Sequence, residues 1–481
     1  MRLGHELKRL ARHSAIYGIG GLVSRILAVL LLPLYTHYLT RADYGRVETL
    51  TAASTVLVIV LRMGITSAFF RFYFDSPDPA RRVLVVRTSF WFTMAMATAG
   101  LVLGLVFAGP IADGLRLGGH ENLVRAAAVG LWAQMNYEQL TSLFRVEERS
   151  LQFVYASLAN IVITVAATVV LVVVFDQHAL GVLVGNFIGT LCVYLVLLGF
   201  RRYQLGLQFD RRLLREMNRF GLPLVPAALA LWAINFIDRL FVAAYKGQGE
   251  VGIYSVAVRV SSAILFLMIA FRTAWPAFAY SIEDDRDARR TYAFVLTYLV
   301  LVTSWVSLAL GALAPWIVDL LTASPFHRAQ KAVALLAFAG SAYAAYTVLA
   351  IGSGRARRTQ LNWVIAGVAA AVNVGLNVAL IPPYGMVGAA IATLAAYVAL
   401  FSGMVLYAQH VYPVPYQWRR VLTAATVAAG LTVAARATGA PLAVSLALVA
   451  VYPLVLVPLG FYLPEERQRL AHLRERLPIL G

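Results

Sequence analysis

A single cysteine, Cys192, stands among 481 residues, inside an apolar run. One thiol excludes an intramolecular disulfide framework and a thiolate metal cluster, and Cys192 reads as a small buried apolar residue. The eight histidines fall in loops or near predicted helix ends without ligand spacing, so no metal site is expected. Charge is scarce as well: Asp, Glu, Lys and Arg make up 13% of the chain, where soluble domains run near a quarter. No Walker sequence is present, which argues against direct ATP hydrolysis. No connection is long enough to hold a folded extramembrane domain, so any function must lie in the apolar segments themselves.

Those segments dominate. The chain is 60% hydrophobic with a mean hydropathy of +0.74, the composition of a polytopic membrane protein. A net charge of +18 would suggest nucleic acid in a soluble chain. Here it suits cytoplasmic loops facing anionic headgroups, and no nucleic-acid partner is expected. With about 20 apolar residues per crossing, fourteen spans are predicted near 14–35, 46–69, 84–108, 122–143, 153–175, 179–200, 217–244, 251–273, 291–321, 330–350, 360–381, 386–409, 418–437 and 441–463. The basic start MRLGHELKRLARH reads as a short helix on the cytoplasmic surface before an uncleaved first span. Trp418 and Tyr462 fit interfacial anchors.

If the N-terminus is cytoplasmic, alternate connections carry 28 Lys and Arg on the inner side and 8 on the outer, which supports an even number of crossings with both termini inside. An internal echo agrees. YGIGGLVSRI followed by RADYGRVETLTAAS has a counterpart in FGLPLVPAAL followed by QGEVGIYSVAVRVSS, and Gly45 and Gly252 each follow an acidic residue and one spacer. Six spans separate the copies, so they keep one orientation, as parallel repeats do. The expected domains are an N-terminal lobe over 1–205, a C-terminal lobe over 206–410, and two appended helices with a cytoplasmic tail over 411–481.

Three stretches, PLYTHYLTRADYGRVETL at 33–50, EERSLQFVYASLANIVITV at 147–165 and NVGLNVALIPPYGMVGAAIATLAAY at 373–397, resemble the oligosaccharide flippases of the polysaccharide-transporter group. That group belongs to a superfamily with multidrug-and-toxin extruders and lipid II flippases. The resemblance implies an all-α integral membrane protein with two six-helix lobes in a V around a central cavity that opens alternately to each side. It further implies a polyprenyl-pyrophosphate-linked oligosaccharide as cargo, moved to the outer leaflet of a bacterial or archaeal cytoplasmic membrane for O-antigen, capsule or exopolysaccharide. Membrane lipids, a polysaccharide polymerase and a chain-length regulator are the partners it suggests. No cofactor is expected, and coupling to H+ or Na+ is left open.

Seven charges inside or near the ends of predicted spans need an account: Arg25, Arg62, Glu138, Asp238, Arg239, Arg259 and Arg272. Counted at 1.5 Å per residue, Arg62 and Glu138 sit at similar depth, as do Asp238 and Arg259, so each pair is expected to meet. A structural ion pair and a role in gating or ion coupling stand side by side for Glu138, Asp238 and Arg259. Arg25 has no acid at its depth and suits pyrophosphate oxygens through its fork of donors. By resemblance to lipid II flippases, Arg25 and Arg62 are the nearest matches to the arginines of a central anion site. Arg239 and Arg272 are expected to snorkel to the outer and inner interfaces.

Gln134, Asn136, Tyr137, Glu138 and Gln139, with Asn235, offer donors and acceptors for sugar hydroxyls or for helix-to-helix hydrogen bonds. Asn160, Asn373 and Asn377 read as structural glue. The expected function is therefore a flippase. Its rivals are a drug or cation exporter of the same superfamily, whose cavity should be rich in carboxylates, and a membrane oligosaccharide polymerase, which should carry a large catalytic loop. Arg25→Ala, folded and reconstituted, should flip lipid-linked oligosaccharide about tenfold more slowly, the scale of one lost charge-assisted hydrogen bond. A wild-type rate in a fluorescence flipping assay removes Arg25 from the anion site.

Overall fold

The computed structural model of the protein describes residues 29–201, 205–464 and 466. Arg25 and most of the first predicted span lie outside them. Among the described residues all regular structure is helical. After α1 (Leu32–Tyr38), Thr40 opens α2 (Arg41–Arg62) by accepting from the Asp43 amide at 3.1 Å and donating to the Asp43 carboxylate at 2.6 Å, a reciprocal cap. The predicted second span breaks at Met63 and Gly64, both left-handed with φ of 49° and 73°. A side chain at Gly64 would meet the Gly221 carbonyl oxygen at 2.2 Å. Then come α3 (Ile65–Phe74), α4 (Pro79–Val106, capped by Asp78), α5 (Ala108–Gly114), α6 (Glu121–Val146), α7 (Ser150–Val169) and α8 (His178–Arg201).

The seventh span, Arg211–Lys246, is one run of α9 (Arg211–Gly221), α10 (Val225–Trp232), a π turn (Ala233–Ile237) and α11 (Asp238–Lys246). It is followed by α12 (Gln248–Ser261), α13 (Ile264–Ser281), α14 (Asp285–Ala312), α15 (Ala314–Leu321), α16 (Gln330–Arg355), α17 (Asn362–Tyr384), α18 (Met386–Val411), α19 (Trp418–Ala437) and α20 (Leu442–Val455). Among the described residues, nine helical segments are long and apolar enough to cross a bilayer. From the second predicted span onward each prediction overlaps helix, although the last, predicted to 463, ends at Val455. The overlong ninth resolves into α14 and α15, and the eighth runs past its predicted end at 273 to Ser281.

Two compact units divide the chain. The first holds the residues up to Arg259 together with 321–329 and 362–396. Its core includes Ile65, Phe69, Phe90, Leu143, Phe144, Tyr194 and Met217, where α4, α6 and α8 pack together. The second holds 260–320, 330–361 and the residues from 397 onward. There α14 packs on α16 and α19, and Leu308, Ala312, Ala424, Ala428 and Tyr452 form its centre. Small residues at these contacts let backbones approach, which matters where lipid gives no hydrophobic drive between helices. Large apolar side chains such as Val106, Val162 and Leu406 point outward. Cys192 is exposed, contrary to expectation, because it lies on a face of α8 that lines an outward groove with Tyr155 and Val196.

Within the first unit α2 crosses α12 at near-contact of their backbones. A Cβ on Gly45 would lie 1.8 Å from the Gln248 carbonyl oxygen, and one on Gly252 would lie 2.1 Å from the Arg41 carbonyl oxygen. Each glycine thus meets the residue four before the other, so the two echoed positions make equivalent contacts. Thr49 donates to the Gln248 side chain at 2.8 Å, and Gln248 donates onward to the Leu115 carbonyl at 2.8 Å. Gly45→Ala and Gly252→Ala should each destabilise the fold by about 1–3 kcal/mol, the scale of overpacking. Gly367→Ala and Gly430→Ala, with nothing within 4 Å of the added carbon, should not. Thermal unfolding in detergent checks this, and equal melting of all four variants removes the crossing from the fold's constraints.

Candidate functional site

Four helices of the first unit converge on a chain of buried charges. From α2, Glu48 accepts from Arg259 of α12 at 2.7 Å and lies 3.5 Å from the Arg239 Nε of α11. Arg239 also bonds Asp238 at 3.3 Å and donates to the Asn235 carbonyl at 2.8 Å. Asp238 accepts in turn from the hydroxyl of Tyr254 on α12 and from Thr393 of α18 at 3.4 Å. The order Arg259, Glu48, Arg239, Asp238 alternates in sign and balances two cations with two anions. Glu48, Asp238 and Arg239 are 8%, 2% and 5% exposed. Arg259 also faces the rings of Tyr35 and Tyr44 at 5.8 and 5.5 Å, and Arg239 that of Phe236 at 5.1 Å, a further attraction for desolvated guanidinium.

Three expectations change here. Arg239 does not snorkel outward; two carboxylates hold it inside. Arg259 is seated on Glu48, while Asp238 is engaged by Arg239, Tyr254 and Thr393. Glu48 itself went unforeseen, although the capping signal at Thr40 and Asp43 places it eight residues into α2, too deep for a surface carboxylate.

A second pair lies on α2 and α6. Arg62 meets Glu138 at 2.7 Å, and Gln134 donates to the same carboxylate at 2.9 Å. Arg62 ends α2 at the Met63–Gly64 break, and the Glu138 side chain is 39% exposed, so this pair is open where the first is closed. The other polar residues of α6 scatter around the helix. Asn136 and Gln139 are buried, bonded to the Trp132 carbonyl at 2.8 Å and to Ser89 at 3.0 Å. Tyr137 is partly buried, with Ser157 and Asn160 beside it. Only Gln134 and Glu138 of that patch share the open face. Asn235, exposed in the π turn, donates to the Leu231 carbonyl at 2.7 Å. Asn373 and Asn377 bond one another at 3.0 Å, fully buried on α17. Among the described residues no group of three potential metal ligands gathers.

A multi-pass helical bundle with ion pairs inside its spans has the makings of a membrane transporter, and its fold is one that transporters share. The lipid II flippase MurJ, in an inward closed conformation, superposes with a TM-score of 0.71 at 12% identity over 93% of this chain and 97% of that one. An inward-facing multidrug resistance transporter of the MATE family gives 0.62 at 14% identity over 81% and 97%. A transporter of the same superfamily from Pyrococcus furiosus gives 0.60 at 14% identity over 84% and 95%. No curated protein matches the sequence. The family described as polysaccharide biosynthesis protein matches residues 36–331, more than half of the chain, and the chain belongs to that family.

Glu48→Gln should cost about 3–5 kcal/mol, because it leaves the buried Arg239 and the partly buried Arg259 with one carboxylate between them. Arg259→Met added to it should cost less than the sum of the two single changes. Arg62→Met, at the more open pair, should cost less than Glu48→Gln. Chemical unfolding in detergent measures all of these; strict additivity at Glu48 and Arg259 overturns the coupled chain.

Proposed function

We propose that the protein is a flippase that moves a polyprenyl-pyrophosphate-linked oligosaccharide from the inner to the outer leaflet of a cytoplasmic membrane, supplying O-antigen, capsule or exopolysaccharide assembly. One conjunction carries this reading: a chain of a polysaccharide-biosynthesis family has the fold of transporters. A member of such a family that is built almost wholly of apolar helices is suited to carrying a lipid-linked intermediate past the bilayer. The fold shared with MurJ supports a lipid-linked cargo in particular.

Alternating access is the mechanism proposed, with two parallel repeats over 1–205 and 206–410 and both termini cytoplasmic. The equivalent contacts of Gly45 and Gly252 support the repeat, and the bias of Lys and Arg supports the orientation. Arg62, with Arg25, would take the pyrophosphate; Gln134, Tyr137 and Asn235 are assigned to its sugars. Glu48, Asp238 and Arg259 would hold a closed state, since a bridge across four helices must break or shift for them to separate. Moving two negative charges outward is favoured by about 4.6 kcal/mol at 100 mV, inside negative, at about 2.3 kcal/mol per charge. The potential alone thus biases the direction. Where H+ or Na+ is coupled, Glu138 and Asp238 are the carboxylates proposed to carry it.

The test is flipping in proteoliposomes loaded with fluorescent lipid-linked oligosaccharide. Wild type should expose label to an outside quencher, and an imposed potential, negative on the side that binds cargo, should speed it several-fold. Arg62→Ala should slow it about tenfold. Absence of flipping, together with export of a cationic dye by the same vesicles, assigns the protein to the drug exporters instead.

A further inference from the structure

One stripe of α8 changes chemistry halfway along the helix. Gly181, Gly185 and Gly189 stand four apart and share a face. A Cβ on Gly185 would lie 2.5 Å from the Thr168 Cα of α7, and one on Gly189 would lie 2.7 Å from the Asn160 carbonyl oxygen. The two backbones therefore touch there, as small residues permit between membrane helices. At the same spacing the stripe continues as Val193, Leu197 and Arg201. Side chains of that size hold helix axes further apart. Beyond Gly189 a groove of about 600 Å³ opens between α7 and α8, lined also by Phe144 of α6.

The groove runs from Gln152 to Ile163 on α7, about 16 Å at 1.5 Å per residue. That is about half of the 30 Å hydrocarbon layer, the depth of one leaflet. Its charged residues, Arg149 and Arg201, both stand at the end away from Gly189. Arg201 is buried; Glu147 accepts from it at 2.9 and 3.3 Å, and the Phe144 ring lies 4.9 Å away. Arg149 meets the same carboxylate through Nε at 3.1 Å, with its side chain half-exposed. One carboxylate between two guanidinium groups leaves a positive charge at this mouth, and the exposed Arg145 and Glu148 beside it offset each other. With Nε engaged, the terminal amino groups of Arg149 remain as donors for a phosphate. Gln152, three residues on and exposed, adds a side-chain amide.

We infer that the groove between α7 and α8 binds an acidic phospholipid, one acyl chain lying along Val193 and Leu197 and the phosphate on Arg149 and Gln152. Shape and charge agree on this occupant: an apolar channel one leaflet deep ends in a cationic mouth where a headgroup would sit. A partner helix would need contact along the whole span, whereas this groove closes at Gly189. With both termini cytoplasmic, as proposed above, the lipid belongs to the cytoplasmic leaflet, whose surface carries the anionic headgroups. The site is separate from the cargo and does not depend on it.

Native mass spectrometry of the full chain in detergent tests it, with phosphatidylglycerol against phosphatidylcholine of the same acyl chains. Wild type should prefer phosphatidylglycerol. In Arg149→Gln that preference should fall about fivefold, the scale of a half-exposed charge contact. Arg149→Lys, which keeps the charge and loses the fork, should lower it about twofold and serves where the Gln variant does not fold. Arg286→Gln, which removes an exposed arginine of the second unit, should leave it unchanged. Ala159→Trp, at an exposed position of the groove wall, should weaken both lipids alike, because the added ring takes the space of the acyl chain. The site is overturned if wild type binds both lipids equally, or if the Arg149 variant that folds keeps the preference in full. It is overturned as well if Arg286→Gln lowers the preference as much as Arg149→Gln, since net charge alone then accounts for it. A wild-type dimer that Ala159→Trp disrupts, with no lipid preference, gives the groove to a second copy instead. The flippase reading stands in each of these cases.

Discussion

Glu48 carries one negative charge between two guanidinium groups in a part of the molecule where water is excluded. Ions that leave water for a low-dielectric interior lose several kcal/mol each after relaxation, and recover it only through close partners with good geometry. Here the recovery is collective. Arg259 closes on one Glu48 oxygen at 2.7 Å, Arg239 approaches the other at 3.5 Å, and Arg239 is balanced in turn by Asp238. Tyr254 and Thr393 complete the Asp238 carboxylate. No member can be neutralised alone without leaving an odd charge buried. The register of α2, α11, α12 and α18 is therefore fixed by one electrostatic condition, and any rearrangement of these helices has to re-satisfy it.

That condition depends on backbone approach. Gly45 is three residues before Glu48 and Gly252 seven before Arg259, so each glycine shares a helix face with its charge. Where the glycines meet, the helices come close enough for the short glutamate side chain to reach across. Asp238 and Arg239 arrive by a different device. The π turn at Ala233–Ile237 inserts an extra residue into the helical repeat, which resets the direction of the residues after it, and Asp238 is the first of them. A kink of this kind is costly to keep without a use for the side chains it re-aims.

Much of the bundle was legible from the chain alone. Apolar runs with punctuation at Gly385 and Pro441 place helices well, since a span must satisfy its own backbone. Depth counting brought Arg62 and Glu138 together even though α2 ends at Arg62 and not at the predicted 69, because α3 continues the run beyond the break. Glu48 escaped it, lying at the edge of a span predicted to start at 46, whereas the Thr40 cap sets the start at Arg41. Depth counting failed for Arg272, placed beside a predicted end at 273, whereas α13 runs on through Pro276 to Ser281; prolines are tolerated in membrane helices whose neighbours re-satisfy the freed carbonyl. Arg239 looked free to snorkel because its partner lies nearly two hundred residues earlier. Asn136 and Gln139 looked like one patch with Gln134, but consecutive residues turn by about 100° each on a helix, so only positions three or four apart share a face.

The pairing also bears on the proposed cargo. An excess of arginine over acid inside the spans suggested an anionic ligand, yet among the described residues Arg62, Arg239 and Arg259 each have a carboxylate. Paired charges contribute little field at a distance, so a count of arginines is a weak guide to affinity. In the proposed function an anion reaching Arg62 would meet Glu138 first, and binding there would exchange one carboxylate for another ligand, with Glu138 turning to its open side or taking up a proton. The half-exposure of Glu138 makes that exchange far cheaper than at the sealed Glu48. In the proposed function, exchange at the Arg62–Glu138 pair would thus couple anion binding to the state of a carboxylate, a coupling that the buried chain around Glu48 does not offer.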